Sequence, residues 1–462
     1  MPVSTKNPTY ERYLPVWQKT RDAVKGSSAV KNKRKEYLPA PDDGDGTIAK
    51  ERYDQYIKRA VYTNFTGRTK NGLVGAAFRK HPEMGLPNEL EYLMQDATGD
   101  GLSIEQLAKD ELSNLLETGR AFYLVDFPQT DDGLSIEQVA SMQLRASIIP
   151  YTAEQVINWK TTVINGRKLL SLVVLEESYI EASDEFGHES EIQHRVLRLR
   201  DDGYTQQIYR DDMPYSEEIY PLKGDGMKWD VIPGIFAGSQ NNDSTIDDAP
   251  LSDIADVNMA HYRNSADFEE SCFLTGQPTL FITHSLTPEQ WTTYNPNGIK
   301  LGSRAGHVLG DTGDAKLLQA DANSLVSEAM TAKEKQMIAI GARIITDRTG
   351  NETAEGARIR FASENSVLGD LVGNLSGAMR QCIEWCGVFM NVDATDVVFH
   401  INREFYDKSV DPQMIMSMIT LLDRAIVSEQ DIFSKLKMAG LVEADRTLED
   451  VKQERGDANP LL

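Results

Sequence analysis

Apolar residues at Ile104, Leu107, Ala108, Leu112, Leu115 and Leu116 recur at the three- and four-residue spacing of one helical face. Ser103 and Gln106 open that run as a capping box, and Gly119 closes it. The unbroken string AFYLVDF (121–127) then predicts a buried strand. GLSIEQ occurs twice, at 101–106 and 133–138, and is taken as reuse of a helix start, not a domain repeat. Upstream, the pattern predicts helices from Tyr10 to Val24, perturbed near Pro15, and from about Ile48 to Thr66.

Residues 146–237 change period. VINWKTTV and KLLSLVVLEESYI flank Asn165-Gly166, a two-residue hairpin signal, and HRVLRLR and YTQQIYR flank Asp202-Gly203. The prediction is an antiparallel sheet with one wet face. Gly, Asn and Asp accumulate at 238–248, which predicts a linker or boundary. From Leu251 to Phe273 the helical period returns, with Ile254, Val257, His261 and Phe268 on one side. At 1.5 Å per residue that helix spans roughly 35 Å. Residues 276–322 are a turn-rich insertion with strand-like PTLFITH and KLLQA, and a second helix follows from Leu325 to about Ala342. TDRTGNETAEG interrupts the helical pattern as a loop. Then Leu368, Leu371, Val372, Leu375, Met379, Cys382, Cys386 and Phe389 keep a seven-residue rhythm in a third long helix. Two or three helices are predicted over 411–456, started by Asp411-Pro412 and by Ser428. The fold class expected from this order is α+β, mainly helical, with an antiparallel β-rich region.

The 462 residues suffice for two to four domain-sized units, and 40% hydrophobic with 26% charged content is ordinary for a folded chain. No apolar run approaches the roughly 18 residues of a membrane span, and the first residues lack the apolar core of a secretion signal. A cytoplasmic site of synthesis is expected, with no membrane partner. Charge alters the picture more. The net charge is −23, yet residues 1–80 hold 17 Lys/Arg against 8 Asp/Glu, so the remaining 382 residues carry −32. A monomeric reader of duplex DNA would show a dominant basic face, and the chain as a whole does not.

Candidate chemistry is sparse. There is no GxxxxGK[ST], GxSxG, HExxH or GxGxxG string. The seven histidines are scattered, and no two share an i, i+4 face. Cys382 and Cys386 lie four apart in a helical pattern without further ligands at zinc spacing, which favours core packing. Asp96, Thr98, Asp100 and Gly101 fall at the first, third, fifth and sixth places of a calcium loop, but the twelfth place is Leu107 where a Glu is needed. No cofactor, metal or catalytic residue is expected, and the chain is expected not to be an enzyme.

Several strings carry a resemblance. They are RTKNGLVGAAFRKHP (68–82), GLSIEQLAKDELSNLLETGRAFYLVDFP (101–128) and PYTAEQVINW (150–159). APLSDIADVNMAHYRNSADFEESCFLTGQPTLF (249–281), LGSRAGHVLG (301–310) and GARIITDRTGNETAEGARIR (341–360) continue it. Their number and order, to about residue 455, resemble the portal proteins of tailed bacteriophages. That resemblance implies a twelvefold ring at one capsid vertex, assembled in a host cytoplasm and carried in the virion. Double-stranded DNA would pass through it without sequence specificity. Its implied partners are the major capsid or scaffold protein, terminase, and a head-completion adaptor or tail protein. A different ring-forming neck or tail protein, or an unrecognised hydrolase, are the competing possibilities.

The resemblance also implies a division of the chain. Residues 1–248 would be the wing, with its β-rich part at 146–237. Residues 249–275 and 323–343 would be the two stem helices, and 276–322 the clip held between them. Residues 344–356 would be a tunnel loop, 357–410 a return helix and strand, and 411–462 a helical crown. Asp347, Arg348, Asn351 and Glu352 are then candidates to face DNA, with an intersubunit Arg348–Glu352 pair favoured. Asp253, Asp256, Arg263, Asp267 and Glu270 are candidates for the lumen or the subunit interface. Lys31, Lys33, Arg34 and Lys35 read either as a solvated loop or as wing residues meeting acidic capsid or scaffold surface.

Overall fold

The computed structural model describes residues 1–41, 44, 46–128, 144–180, 190–276, 279–296, 309–318, 324–341, 354–403, 405, 428–438 and 446–457. They fall into two units, Met1–Ile401 and Asn402–Leu462. The first is α+β. Helix α1 (Pro8–Lys25) starts where the Asn7 side chain accepts the N–H of Thr9 at 2.9 Å, accommodates Pro15, and ends at Gly26. The short α2 (Ser27–Asn32) follows directly. The single helix expected over 48–66 is two. α3 (Thr47–Arg59) stops at Ala60, and α4 (Phe65–Ala77) starts anew at Asn64, whose side chain accepts the N–H of Gly67 at 2.7 Å. The break drops Tyr62 into the core, where its hydroxyl donates to Ala23 O at 2.8 Å.

After β1 (Glu83–Gly85), α5 (Ile104–Thr118) has the expected capping box. Ser103 Oγ accepts from Gln106 N at 3.2 Å, and Gln106 Oε1 accepts from Ser103 N at 3.1 Å. Gly119 ends α5 with φ +71, and β2 (Arg120–Asp126) follows. A Cβ at Gly119 would stand 2.5 Å from Asp248 O and 2.9 Å from Asp247 O. Gly119→Ala is therefore expected to lose about 3 kcal/mol in urea unfolding, combining a left-handed φ with a clash against backbone that cannot turn away.

β3 (Ser147–Thr152) and β9 (Gly234–Gly238) pair on either side of β2, all antiparallel. Between them β4 (Val156–Ile164), β5 (Arg167–Ile180), β6 (Ser190–Arg200), β7 (Gly203–Arg210) and β8 (Met213–Pro214) form a five-stranded antiparallel meander in sequence order. Asn165 and Gly166, at φ +50 and +77, make the tight β4–β5 turn. One face of this sheet is sealed by the N-terminus: Tyr10 and Trp17 of α1 pack with Ile157, Val174 and Val196.

The segment 239–248 is not a boundary between units. Arg120 is 1% exposed, and its guanidinium lies 4.1 Å from the Trp159 ring centre and 3.9 Å from that of Phe236. Its Nη1 donates to Ser244 O at 3.1 Å and Thr245 O at 2.8 Å, while Asp247 accepts the N–H of Gln240 at 2.7 Å. Burial pulls the Arg120 pKa down to about 9. The segment that suggested a linker is instead folded by its Asp and Asn side chains so that its main-chain carbonyls meet a buried cation.

Helix α6 (Ser252–Thr275), strand β10 (Thr279–Thr283), helix α7 (Pro288–Tyr294), strand β11 (Asp314–Leu318) and helix α8 (Leu325–Ile340) come next. α9 (Ala354–Met390) buries Leu368, Leu371, Val372, Leu375, Met379, Cys382, Cys386 and Phe389, the expected stripe, and packs on α5, β2 and β9. β12 (Val398–His400) pairs with β1. The second unit shows α10 (Glu429–Met438), capped by Ser428, and α11 (Leu448–Asp457), capped by Thr447. The expected start at Asp411-Pro412 and the second GLSIEQ copy lie outside the described residues.

Candidate functional site

α6 and α8 run antiparallel. Ile254 lies against Gly341, where no room remains for a Cβ. Seven residues along α6 and seven back along α8, His261 Nε2 stands 3.3 Å from Glu334 Oε1. Between the two helices, in chain order, come β10, α7 and β11. There β10 and β11 pair antiparallel, Thr283 opposite Asp314. α7 has its own capping box at Thr287 and Gln290, and His284 stacks on Trp291 with ring centres 4.4 Å apart. Phe281 and Tyr294 are more than half exposed on this small module.

α6 is clasped from one side by the N-terminal helices. Ala255, Met259, Tyr262 and Ala266 share a core cluster with Tyr53, Tyr56, Ile57 and Tyr62. Asn258 is fully buried at its centre. Its Oδ1 accepts from Thr66 Oγ1 at 3.0 Å, with Tyr62 Oη also 3.0 Å away, and its Nδ2 donates to Thr63 O at 2.9 Å. A buried amide that satisfies both its ends fixes register more sharply than apolar contact does.

The acidic stripe expected at the lumen or subunit interface meets this same layer. Asp256 pairs with Lys19, and Arg263 Nε donates to Tyr37 O at 2.8 Å. Asp267 accepts from Tyr56 Oη at 2.5 Å, and Glu270 pairs with Arg59 and, at 3.7 Å, with Arg52. Asp253 sits exposed in the first turn, where a carboxylate favours the helix dipole. The basic run is likewise engaged within the chain. Lys31 Nζ donates to Lys58 O at 3.3 Å, and Lys33 lies 3.7 Å from Asp22 and 3.6 Å from Glu36. Arg34 lies 2.5 Å from Asp54, and Lys35 lies over the Tyr53 ring at 6.0 Å. Asp347, Arg348, Asn351 and Glu352 lie outside the described residues.

Sequence inspection missed the other side of the pair. Of the α8 side chains only Met337 is buried. Leu325, Glu328, Ala332 and Lys335, at helical spacing, are exposed. α8 has no continuous apolar stripe, and that was the available signal.

Among the described residues no three His, Cys, Asp or Glu groups stand close enough to hold a metal, and no helix is long and apolar enough to cross a membrane. In the calcium-like loop, Asp96 Oδ1 is taken by the N–H groups of Gly99 at 2.7 Å and Gly101 at 3.0 Å, a turn-forming role. Cys382 and Cys386 are buried, and burial pushes both thiols well up, away from the reactive thiolate.

Residues 250–390, from just before α6 to the end of α9, match the model of a domain of unknown function, DUF4055. No curated protein matches the chain. Among solved structures, a chain from the neck of an empty GTA particle computed with C6 symmetry is similar at 13% identity, over 82% of this chain and 90% of that one, with a TM-score of 0.42. One from the virion of a native gene transfer agent particle is similar at 13% identity, over 84% and 92%, with a TM-score of 0.41. One from the neck of a native GTA particle computed with C12 symmetry is similar at 14% identity, over 81% and 89%, with a TM-score of 0.43.

Proposed function

We propose that this chain is the portal subunit of a tailed-phage-like particle, and that its copies close into a ring around a channel for duplex DNA. The antiparallel α6–α8 pair carries the reading. It is clasped on one side by the N-terminal layer of its own chain, leaves α8 open on the other, and brackets β10, α7 and β11 in the sequence. The portal-like strings of the sequence run through these same elements.

In this reading α8 contributes to the ring wall. The channel's task is mechanical and electrostatic. Lys or Arg contacts to phosphate release counterions and would brake the duplex. Twelve copies would carry −276 formal charges, and acidic surface toward DNA lets it slide. Asp347, Arg348, Asn351 and Glu352 would ring the narrowest point, with Arg348 paired to Glu352 of the next copy. Asp253 and Asp256, both exposed, are the acidic residues of α6 best placed for a lumen or subunit contact. The module of β10, α7 and β11 would be gripped by terminase and later by a head-completion or tail protein. No cofactor is required.

Native mass measurement with negative-stain imaging tests this. Twelve copies of 51.6 kDa give about 619 kDa and a ring with a central hole. A neighbouring ring count would support the same reading. A compact 51.6 kDa monomer at every concentration and salt would sink it.

A further inference from the structure

Between Glu154 and Glu176 lie 21 residues without a carboxylate, in a chain whose net charge is −23. Lys160, Arg167 and Lys168 are the charges of that stretch, all three exposed, and every residue of it is described. It forms the β4–β5 hairpin, with Val163 opposite Lys168 and Ile164 opposite Arg167 beside the Asn165-Gly166 turn. β5 pairs with β6 only from Leu172 onward, so residues 161–164 and 167–170 pair with each other alone. Four residues at about 3.4 Å each make a two-stranded ribbon of roughly 14 Å. Val163 and Ile164 are 69% and 43% exposed at its tip.

Among the described residues Lys160, Arg167 and Lys168 make no salt bridge. Asp230 and Asp243 lie within Coulomb range of Arg167 and Lys168, but both are engaged elsewhere. Asp230 pairs with Lys223 at 3.1 Å, and Asp243 accepts from Thr245 N at 2.6 Å and faces the Arg120 charge. Cations that served only to guard the open edge of β4 would not leave two β-branched residues bare beside them. Arg167 and Lys168 are neighbours on one strand and therefore point to opposite faces of the ribbon. A flat protein surface meets one such face at a time. The major groove of a duplex has a phosphate wall on each side and, at about 12 Å wide, admits two antiparallel strands. The reach of the ribbon exceeds the Debye length of about 10 Å at 0.1 M salt, so the acidic remainder of the chain does not mask its charge.

We propose that the β4–β5 hairpin binds duplex DNA, its tip in the major groove. Arg167 and Lys168 meet the phosphates of the two walls, Lys160 meets the backbone beyond, and Val163 and Ile164 cover sugar and base edges. The proposal rests on the portal reading for the presence of the duplex, and adds a contact outside α6, α8 and residues 344–356. Phosphate contacts position the duplex without reading its sequence. In a ring each copy would bring three such cations, a grip on DNA where acidic surface lets it slide.

Fluorescence anisotropy of a duplex of about 20 base pairs, titrated with the full chain, tests the contact. A chain carrying Lys160→Gln, Arg167→Gln and Lys168→Gln is expected to bind about 100-fold more weakly at 0.05 M salt, with a log–log salt slope shallower by about 2.7. A control carrying Lys50→Gln, Arg68→Gln and Lys109→Gln, all exposed, changes the net charge equally and is expected to stay within about threefold of the wild type. If circular dichroism shows the hairpin triple unfolded, Arg167→Gln alone decides, with a slope shallower by about 1. Two triples that weaken binding alike, or a slope that Arg167→Gln leaves unchanged, overturns the contact. So does poly-L-glutamate that displaces the duplex as well as unlabelled DNA of equal charge, which would make an acidic protein the partner. A wild type that forms rings and leaves the duplex free overturns the contact and leaves the ring reading standing. Binding by a chain that never forms rings overturns the ring reading and leaves the contact in place.

Discussion

Arg21→Ala is expected to lower the stability of the first unit by about 4 kcal/mol, read as a fall in the urea midpoint at constant slope. Arg21 is the cation that fastens α1 to α5 and to the turn at 153–155. Its Nη1 donates to Glu117 at 2.9 Å, its Nη2 to Asn114 at 2.5 Å and to Glu154 at 2.9 Å, and its Nε pairs with Glu154 as well. Lys70 of α4 reaches the other oxygen of Glu117 at 3.1 Å. Burial opposes the guanidinium charge, but Glu154 and Glu117 outweigh it and hold its pKa above the ordinary value. Removing the cation leaves one carboxylate without a partner and a second with Lys70 alone, in a site largely shielded from water. Breaking such a pair costs more than making it gains, because the remaining charge is stranded. Arg21→Lys should recover only part of the loss, since an ammonium cannot fork to Glu154 and Glu117 together. Glu154→Gln placed in the Arg21→Ala background should restore stability. A double mutant as unstable as the sum of the two singles would show that the carboxylates do not depend on this cation.

The Arg21 network also marks where sequence inspection stops. α5 was legible from cap to cap because Ser103, Gln106 and Gly119 act on backbone within four residues of themselves. The Asn165-Gly166 turn, α6, α8 and the buried stripe of α9 were legible for the same reason: periodicity and turn chemistry are local. The break between α3 and α4 was not, because Tyr62 leaves the helical path to satisfy contacts with Ala23 and Asn258, both remote in the chain. The acidic residues of α6 were singled out as candidates, but their partners Lys19, Arg52, Tyr56 and Arg59 lie some 200 residues away. Charge counting registered that the first 80 residues are basic and the rest acidic, and the fold applies part of that contrast within each chain. The segment 239–248 misled because Asn and Asp mark loops by their side-chain hydrogen bonds, whether the loop is free or, as here, wrapped around a buried arginine.

Glu111 gives a stability effect of similar size with the opposite sign, and one that depends on pH. It lies on the buried face of α5 and accepts from Asn114 Nδ2 at 3.4 Å. Burial pushes its carboxyl from 4.5 up to about 7, only partly offset by Asn114 and the Arg21 charge. In the unfolded chain the proton leaves near 4.5, while the folded chain keeps it to about 7. Between those values the folded state holds one more proton, so raising pH favours unfolding. This group's contribution is therefore undiminished below about 4.5, declines through the window, and is lost above about 7. A difference of that width is worth about 3 kcal/mol. Glu111→Gln keeps the acceptor for Asn114 and cannot ionise. It should match the wild type within about 1 kcal/mol near pH 4 and exceed it by about 3 kcal/mol near pH 8. Taking the variant against the wild type at each pH cancels the titration of every other group. A gap that stays constant across the range, or a variant weaker at pH 8, would mean that Glu111 is charged in the fold and that Arg21 or another cation supports it.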